Sequence, residues 1–147
     1  ARTYCINAGG DVRVRGQPAP ALHWRVGIQH PFRLDKVAAV VAATDLAIAT
    51  SGAYARGAHI VDPHTGYPPA GVLSVTVVGP QMATADAYAT AAYAMGVAGP
   101  AWSAGLVGLG YETLTILADE TVLSTPSFPA VPATESAARG GPAARVE

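Results

Sequence analysis

An aspartate and a threonine four residues apart, Asp86 and Thr90, are the side chains of this sequence best placed to do chemistry. They lie in a run of small apolar residues at 82–95, and on a helix this spacing stacks the carboxylate and the hydroxyl on one face. We expect this helix to be buried on several sides. Two hard oxygen ligands on such a water-poor surface suit Mg²⁺, which completes its shell with water and substrate phosphates. The alternative is a capping or salt-bridging aspartate and a threonine bonded to a helix carbonyl, and the spacing alone favours this alternative.

A histidine, His59, begins the segment H-I-V-D-P-H-T-G at residues 59–66. His59 and Val61 are predicted to share one face of a short strand, which the following proline and glycine end with a turn. A histidine at a strand end beside a loop is a candidate general base, because imidazole exchanges a proton near neutral pH. A structural or surface role is the alternative, and His64 is expected to be solvated in the turn. The four histidines lack the spacing of a zinc site, so none is predicted.

Two loops combine glycines with polar side chains. The first, Asn7-Ala8-Gly9-Gly10-Asp11, lies between two predicted strands, and its paired glycines allow positive φ and a close approach of the backbone to a ligand. The second, Thr50-Ser51-Gly52-Ala53-Tyr54-Ala55-Arg56, follows a strand and offers a hydroxyl, an aromatic ring and a cation. Such a loop could hold a phosphate or stack against a ring. A plain hairpin turn and a surface loop are the respective alternatives.

The pattern of apolar residues predicts strands, then two consecutive helices, then strands. Alternation is clearest at residues 22–28 and 72–78. The helix that carries Asp86 should end at Gly96, and a second helical segment should run from about residue 100 to 109. We therefore predict an α+β fold, a mainly antiparallel sheet with two consecutive helices packed on one face. The other predicted strands are 3–7, 11–15, 37–43, 46–50, 111–117 and 121–124.

The composition of the chain argues against several classes of protein. The 147 residues suffice for one domain with a core, and no stretch approaches the apolar span that a membrane helix needs. A formal net charge of −1 argues against a general nucleic-acid binder. Cys5 is the single cysteine, which excludes an intrachain disulfide and a cysteine-based metal cluster.

The two ends of the sequence differ in character. The ordered domain is expected to occupy residues 1–127, because residues 128–147 are rich in proline, alanine and glycine and offer little to bury. We expect this tail to be disordered. The sequence begins in a predicted strand without an initiating methionine, so we expect the chain to be a fragment or the C-terminal part of a longer protein.

Taken in order, these motifs resemble the C-terminal half of the ApbE-type flavin transferases (FAD:protein FMN transferases). The resemblance covers residues 4–118, and it depends on six motifs that occur in the order and rough spacing of the family. They are I-N-A-G-G-D at 6–11, W-R-V-G-I at 24–28 with Pro31, T-S-G-A-Y at 50–54, H-I-V-D-P-H-T-G at 59–66, S-V-T-V at 74–77 and A-D-A-Y-A-T-A at 85–91.

The resemblance implies an α+β fold and a Mg²⁺-dependent reaction. FAD is split at its pyrophosphate, FMN is joined through phosphate to a Thr or Ser hydroxyl of a target flavoprotein, and AMP leaves. Asp86 and Thr90 then become the side-chain ligands of Mg²⁺, and His59 the general base that removes the proton of the acceptor hydroxyl. The residues implied to shape the flavin nucleotide site are Asn7, Gly9, Gly10, Asp11, Ser51, Gly52 and Tyr54.

Two alternatives stand beside flavin transfer. Some members of the family are similar to FAD pyrophosphatases, which hydrolyse FAD to FMN and AMP. A truncated, non-catalytic homologue is the other alternative. Members are commonly exported or anchored to the bacterial envelope, and the sequence leaves the cellular side of this chain open.

The sequence also departs from the family pattern. Members carry a longer N-terminal half, in which a Lys-Gly-containing helix segment supplies part of the nucleotide pocket and a backbone ligand to the metal. The implied partners are therefore that half, FAD and an acceptor flavoprotein, and no nucleic acid. His30 precedes Pro31, where members often have an acidic residue. The aromatic or acidic-basic pattern that usually follows the tyrosine is reduced here to Ala55 and Arg56.

Overall fold

The larger of two sheets holds six strands, and each of its neighbouring pairs is antiparallel. The structure, a computed structural model, describes residues 2–33, 35–53, 57–132 and 143–146. The chain leaves this sheet after its second strand and returns to it at the fifth. In spatial order the strands are β1 (Tyr4–Ala8), β2 (Asp11–Arg15), β5 (Ala47–Gly52), β6 (Val72–Gly79), β7 (Glu112–Leu117) and β8 (Val122–Ser124).

The smaller sheet holds four strands. Its central pair is an antiparallel hairpin, and a late segment of the chain lies on each side of it. One of these late strands pairs in parallel with its neighbour, which is the exception in a mainly antiparallel fold. In spatial order the strands are β10 (Ala143–Val146), β3 (Trp24–Gln29), β4 (Val37–Ala43) and β9 (Ala130–Val131).

The boundary expected at residue 127 differs from the structure. Phe128 is buried in the core, and Ala130 and Val131 pair with β4. The backbone of residues 143–146 pairs with β3. Composition did not indicate these strands, because a backbone ladder satisfies N–H and C=O groups whatever the side chains are.

The main core lies between the two sheets. Alternation along β2 sends Val12 and Val14 to this side, where they meet Val26 and Ile28 of β3. Ile116 of β7 is also fully enclosed here. Burial of each of these side chains contributes about 1.5–3 kcal/mol relative to exposure. The two sheets are thereby held face to face.

Helical segments cover the opposite face of the six-stranded sheet. Helix α1 (Met82–Ala94) packs on β5 and β6, where alanines of the helix meet small side chains of the strands. The chain continues through a 3₁₀ turn (Gly96–Ala98), helix α2 (Gly99–Ser103) and a 3₁₀ segment (Ala104–Leu109). The predicted α+β fold with two helical segments is confirmed. In the described part of the chain, none of the helices has the length and apolarity needed to cross a bilayer.

Helix α1 ends as its sequence predicts. Met95 is its C-cap, and Gly96 follows with a φ of 56°, the left-handed conformation that glycine adopts without steric cost at this position. The expectation that α1 is buried on several sides is wrong. Its sheet-facing side is buried, whereas Asp86 and Thr90 lie on an exposed side. Alanines occur on every side of this helix, so its composition could not indicate which side is buried and which is exposed.

Glycine at position 79 is required by close packing. A Cβ there would overlap the ring of Tyr111, which is buried and packs edge-on against Tyr88 at a centroid distance of 5.1 Å. We expect Gly79→Ala to destabilise the protein by about 1–3 kcal/mol, the usual cost of overpacking. Denaturant unfolding would measure this, with Gly105→Ala as control because no atom lies within 4 Å of that site. Equal unfolding free energies for the two variants would contradict the prediction.

Candidate active site

Three candidate segments lie at one end of the six-stranded sheet. Val12 of β2 pairs with Ile48 of the antiparallel β5, so the turn between β1 and β2 lies at the end of the sheet where β5 finishes. Gly52 at that end of β5 pairs with Ser74 near the start of β6, so the connection that contains His59 leaves and re-enters the sheet at the same end. The topology therefore gathers the glycine turn, the end of β5 and this connection.

The glycine turn has the conformation that its sequence predicts. Gly9 and Gly10 have φ values of 64° and 106°, a region that other residues rarely adopt. The Asn7 side-chain oxygen accepts a hydrogen bond of 3.0 Å from the Gly10 N–H. Asn7 thus stabilises the turn from within, a contribution that the motif alone did not reveal. Asp11 follows at the start of β2 and is half-buried.

Helix α1 reaches this end of the sheet through Thr90. The Thr90 hydroxyl lies 3.2 Å from the hydroxyl of Ser51, which is 7% exposed on β5. Thr90 itself is exposed, and so is Asp86 one helical turn earlier. The Thr90 hydroxyl therefore contacts a neighbouring strand. The alternative raised from the sequence, a hydrogen bond to a carbonyl of its own helix, is a different contact.

A second contact attaches α1 to the end of β5. Tyr93 is buried, and the backbone of Ala53 hydrogen-bonds to its phenol oxygen. Burial raises the pKa of Tyr93, and the hydrogen bond from Ala53 offsets part of this increase. Because Tyr93 and Thr90 are three residues apart, two neighbouring points of the helix are held to the strand.

The side-chain oxygens of Asp86 and Thr90 are of the type that Mg²⁺ prefers. Asp86 offers a carboxylate and Thr90 a hydroxyl, both hard donors and both exposed. Among the described residues, no group of three or more His, Cys, Asp or Glu side chains is able to hold a metal ion. A single carboxylate with a hydroxyl leaves most of the coordination shell to water and phosphate, which is how Mg²⁺ is usually bound. The assignment of these two ligands stays a prediction.

His59 is not on a strand, which corrects the expectation from its sequence. Residues 57–71 form an irregular connection, and His59 is exposed in it. The ring Nδ1 lies 2.9 Å from the carbonyl oxygen of Gly57. Because a carbonyl can only accept, Nδ1 carries the single proton of the neutral ring, and the lone pair is then on Nε2. This tautomer is the one that a general base with a free Nε2 requires.

Asp62 organises the connection that carries His59. Its carboxylate accepts the N–H of His64 at 2.8 Å, its carbonyl accepts the N–H of Gly66 at 2.8 Å, and its own N–H donates to Tyr67 at 2.9 Å. These bonds replace the expected strand with a closed turn. Sequence reasoning did not single out Asp62, although Asp-Pro followed by glycine is typical of such a turn.

Two further residues connect the segments of the candidate site to the rest of the fold. Ile60, next to His59, packs against the apolar cluster that α1 forms with β5 and β6. Arg13 of β2 donates from Nη1 to the carbonyl oxygen of Pro80 at 2.9 Å and to that of Asp45 at 3.1 Å. Arg13 therefore holds the segment from which α1 begins. In the sequence, the orientation of Arg13 was indicated only by its position between two valines, which point to the other side of the strand.

The sequence-predicted set is thus partly assembled. Ser51 and Thr90 are in contact, with Asp86 one turn from Thr90, and the glycine turn lies at the same end of the sheet. Gly52 is buried at the end of β5. Tyr54 lies outside the described residues, together with Ala55 and Arg56.

Comparisons with known proteins agree on one family. Residues 1–108 match the model of the ApbE family. The FAD:protein FMN transferase of Haemophilus influenzae is 33% identical over 107 residues, which are 65% of this chain and 31% of that protein. That of Rhodobacter capsulatus is 36% identical over 137 residues, which are 86% of this chain and 25% of that protein.

The fold is similar to that of a solved relative. The crystal structure of the ApbE protein from Thermotoga maritima matches with a TM-score of 0.73 and 34% sequence identity. The match covers 85% of this chain and 43% of that one. The chain therefore spans between 25% and 31% of the length of the two curated relatives and less than half of the solved one.

Proposed function

Because the chain belongs to the ApbE family, we propose that it forms the metal-binding and proton-transfer part of an FAD:protein FMN transferase. The reaction is the Mg²⁺-dependent transfer of FMN from FAD to a Thr or Ser hydroxyl of a target flavoprotein, with release of AMP. The observation that supports this most is the 3.2 Å contact between Ser51 and Thr90, with the exposed Asp86 one helical turn away.

Asp86 and Thr90 would hold Mg²⁺ through a carboxylate and a hydroxyl oxygen. The ion, when bound, would neutralise the negative charge on the pyrophosphate oxygens of FAD during an in-line displacement. Asp86 contributes the formal negative charge of this ligand pair. The exposure of both side chains leaves room for phosphate oxygens beside them. Thr90 is held in place through Ser51, and Tyr93 fixes the next turn of the helix.

His59 would move the proton. Its Nδ1 proton is engaged by the Gly57 carbonyl, so its Nε2 is available to accept the proton of the acceptor hydroxyl. The acceptor oxygen then forms a bond to the phosphorus of the FMN half of FAD. The bond between that phosphorus and the bridging oxygen breaks, and its electron pair leaves with AMP.

The glycine turn would lie against the nucleotide. Gly9 and Gly10 present backbone without side chains, which permits a close approach of a ligand. Asn7 keeps this turn in shape by accepting the Gly10 N–H. Asp11, Gly52 and Tyr54 complete the proposed nucleotide set.

Hydrolysis of FAD to FMN and AMP is the second candidate. It is favoured by the exposure of His59, Asp86 and Thr90, because water can reach the same atoms that an acceptor hydroxyl would reach. The residues keep the same roles, and water replaces the acceptor hydroxyl.

One experiment separates these candidates. The chain is incubated with FAD and a Thr-bearing acceptor flavoprotein, with and without Mg²⁺, and with and without the remaining portion of a relative added as a separate chain. AMP release with FMN attached to the acceptor, detected by mass spectrometry, is the result expected for transfer. AMP with free FMN would indicate hydrolysis. No Mg²⁺-dependent loss of FAD under any of these conditions would overturn both.

We expect Thr90→Ala to weaken metal dependence without abolishing activity. The variant loses a neutral ligand but keeps the charge of Asp86, so more Mg²⁺ should partly restore the rate. The Mg²⁺ concentration for half-maximal AMP release should rise about tenfold, and Thr90→Ser should stay close to the unmodified chain because it keeps the hydroxyl. Thr84→Ala on the same helix is the control, and an unchanged Mg²⁺ requirement for Thr90→Ala would contradict the ligand role.

A further inference from the structure

We propose that Ser51 is a positioning residue, whose buried hydroxyl oxygen accepts the proton of Thr90 and thereby turns the Thr90 lone pairs toward the metal. This inference rests on the proposed function, because it assumes that Thr90 is a metal ligand. It differs from the flavin contact expected of Ser51 from the sequence, since Ser51 acts here through another side chain.

The orientation of Ser51 supports this role. In β5, Ala47, Ala49 and Ser51 lie on the same side of the strand, and both alanines pack in the cluster that α1 forms with the sheet. Ser51 therefore points to the helix, and its hydroxyl lies 3.2 Å from that of Thr90. A side chain that is 7% exposed between a strand and a helix has little surface left for a ligand.

The hydrogen-bonding capacity of a hydroxyl decides the direction of this contact. Each hydroxyl has one proton to donate and two lone pairs. A cation bound to the Thr90 oxygen withdraws electron density from it, which makes the Thr90 O–H a better donor and the oxygen a poorer acceptor for Ser51. If Thr90 donates to Ser51, both Thr90 lone pairs are free on the exposed side. A bound cation therefore selects the arrangement in which Ser51 is the acceptor.

The surroundings make Ser51 difficult to replace. A water molecule cannot easily take its place as acceptor, because the position is buried between β5 and α1. The backbone of α1 is held near this contact, because Tyr93 one turn along is hydrogen-bonded by the backbone of Ala53. Groups that orient a metal ligand typically change metal affinity about 10–100-fold when removed.

Metal binding can be measured directly, without turnover. Free Mn²⁺ is followed by electron paramagnetic resonance as the full chain is titrated, and Mg²⁺ is added as competitor. Ser51→Ala should weaken Mn²⁺ binding about tenfold. Ser103→Ala is a matched control, because Ser103 is also buried and its hydroxyl lies 3.2 Å from that of Thr113 on β7. The control should lose similar stability and keep its Mn²⁺ affinity.

A double-mutant cycle tests whether Ser51 acts through Thr90. In the Thr90→Ala background, Ser51→Ala should have no further effect on Mn²⁺ affinity, because the side chain that it orients is gone. A merely structural Ser51 would lower the affinity in both backgrounds. Additive losses would therefore overturn the inference.

The outcomes also separate this inference from the proposed function. If the unmodified chain binds neither Mn²⁺ nor Mg²⁺, or if Thr90→Ala leaves binding unchanged, the metal assignment itself fails. If Thr90→Ala weakens binding and Ser51→Ala does not, the positioning role alone fails. Should Ser51→Ala not fold, Ser51→Cys keeps a similar shape with a poorer acceptor, and undiminished Mn²⁺ affinity of that variant would overturn the inference.

Discussion

Replacement of Asp86 by alanine should reduce Mg²⁺-dependent release of AMP from FAD by at least about 100-fold, the effect usual for loss of one group that stabilises developing charge. Asp86 is the charged member of the proposed ligand pair, so excess Mg²⁺ should not restore the rate as it does for Thr90→Ala. The side chain is exposed on α1, and its removal leaves no cavity in the core. The loss should therefore appear in activity and metal binding, with the unfolding free energy nearly unchanged.

The measurement is AMP release by chromatography across a Mg²⁺ series, with thermal unfolding of the same samples. Asp35→Ala is the matched control, because Asp35 is also exposed but lies between β3 and β4 of the other sheet. The control should keep full activity. Undiminished Mg²⁺-dependent AMP release by Asp86→Ala would show that the carboxylate is not a ligand.

His59→Ala should lower turnover by about 10²–10⁴-fold, the range typical of general acid–base catalysis, with little change in FAD binding. The physical reason is the loss of Nε2, which the bond between Nδ1 and Gly57 keeps available for a proton. His59→Gln should be no better, because an amide nitrogen does not take a proton at neutral pH. Since His59 is exposed, either substitution should leave the fold intact.

Single-turnover rates measure turnover, and a titration followed by flavin fluorescence measures FAD binding, so the two effects are determined separately. His64→Ala is the matched control, because His64 is an exposed histidine of the same connection and its ring has no proposed role. Loss of folding by His59→Ala would make His59 a structural residue. Equal turnover of the His59 and His64 variants would exclude His59 as the base.

Much of the fold was predictable because its signals are local. Apolar residues alternate along β2 and β3, and Gly96 follows α1 in the left-handed conformation that its position requires. The strand expected from residue 22 begins instead at Trp24, after an exposed Leu22. The late strands at 130–131 and 143–146 were missed, because their pairing with β4 and β3 depends on backbone groups far away in the sequence.

The candidate site was predictable in its residue types and less so in its arrangement. Spacing alone stacked Asp86 above Thr90, and the two glycines have the positive φ that their turn needs. The strand expected at His59 is replaced by an irregular connection with a turn. Asp62 forms this turn, because its carboxylate and backbone hydrogen-bond to residues only two to five positions further along the chain. The role of each residue stays a prediction for the experiments above.

The amino-acid sequence by itself determined the order of strands and helices as far as β8, the conformation of the glycine turn and the stacking of Asp86 with Thr90. These features follow from interactions within a few residues, where φ preferences and side-chain periodicity act. Tertiary structure alone decided which side of α1 is exposed and that Thr90 meets Ser51, which is 39 residues away. Such a contact depends on how a helix packs against a sheet, and an alanine-rich helix has no sequence pattern that distinguishes its buried side from its exposed side.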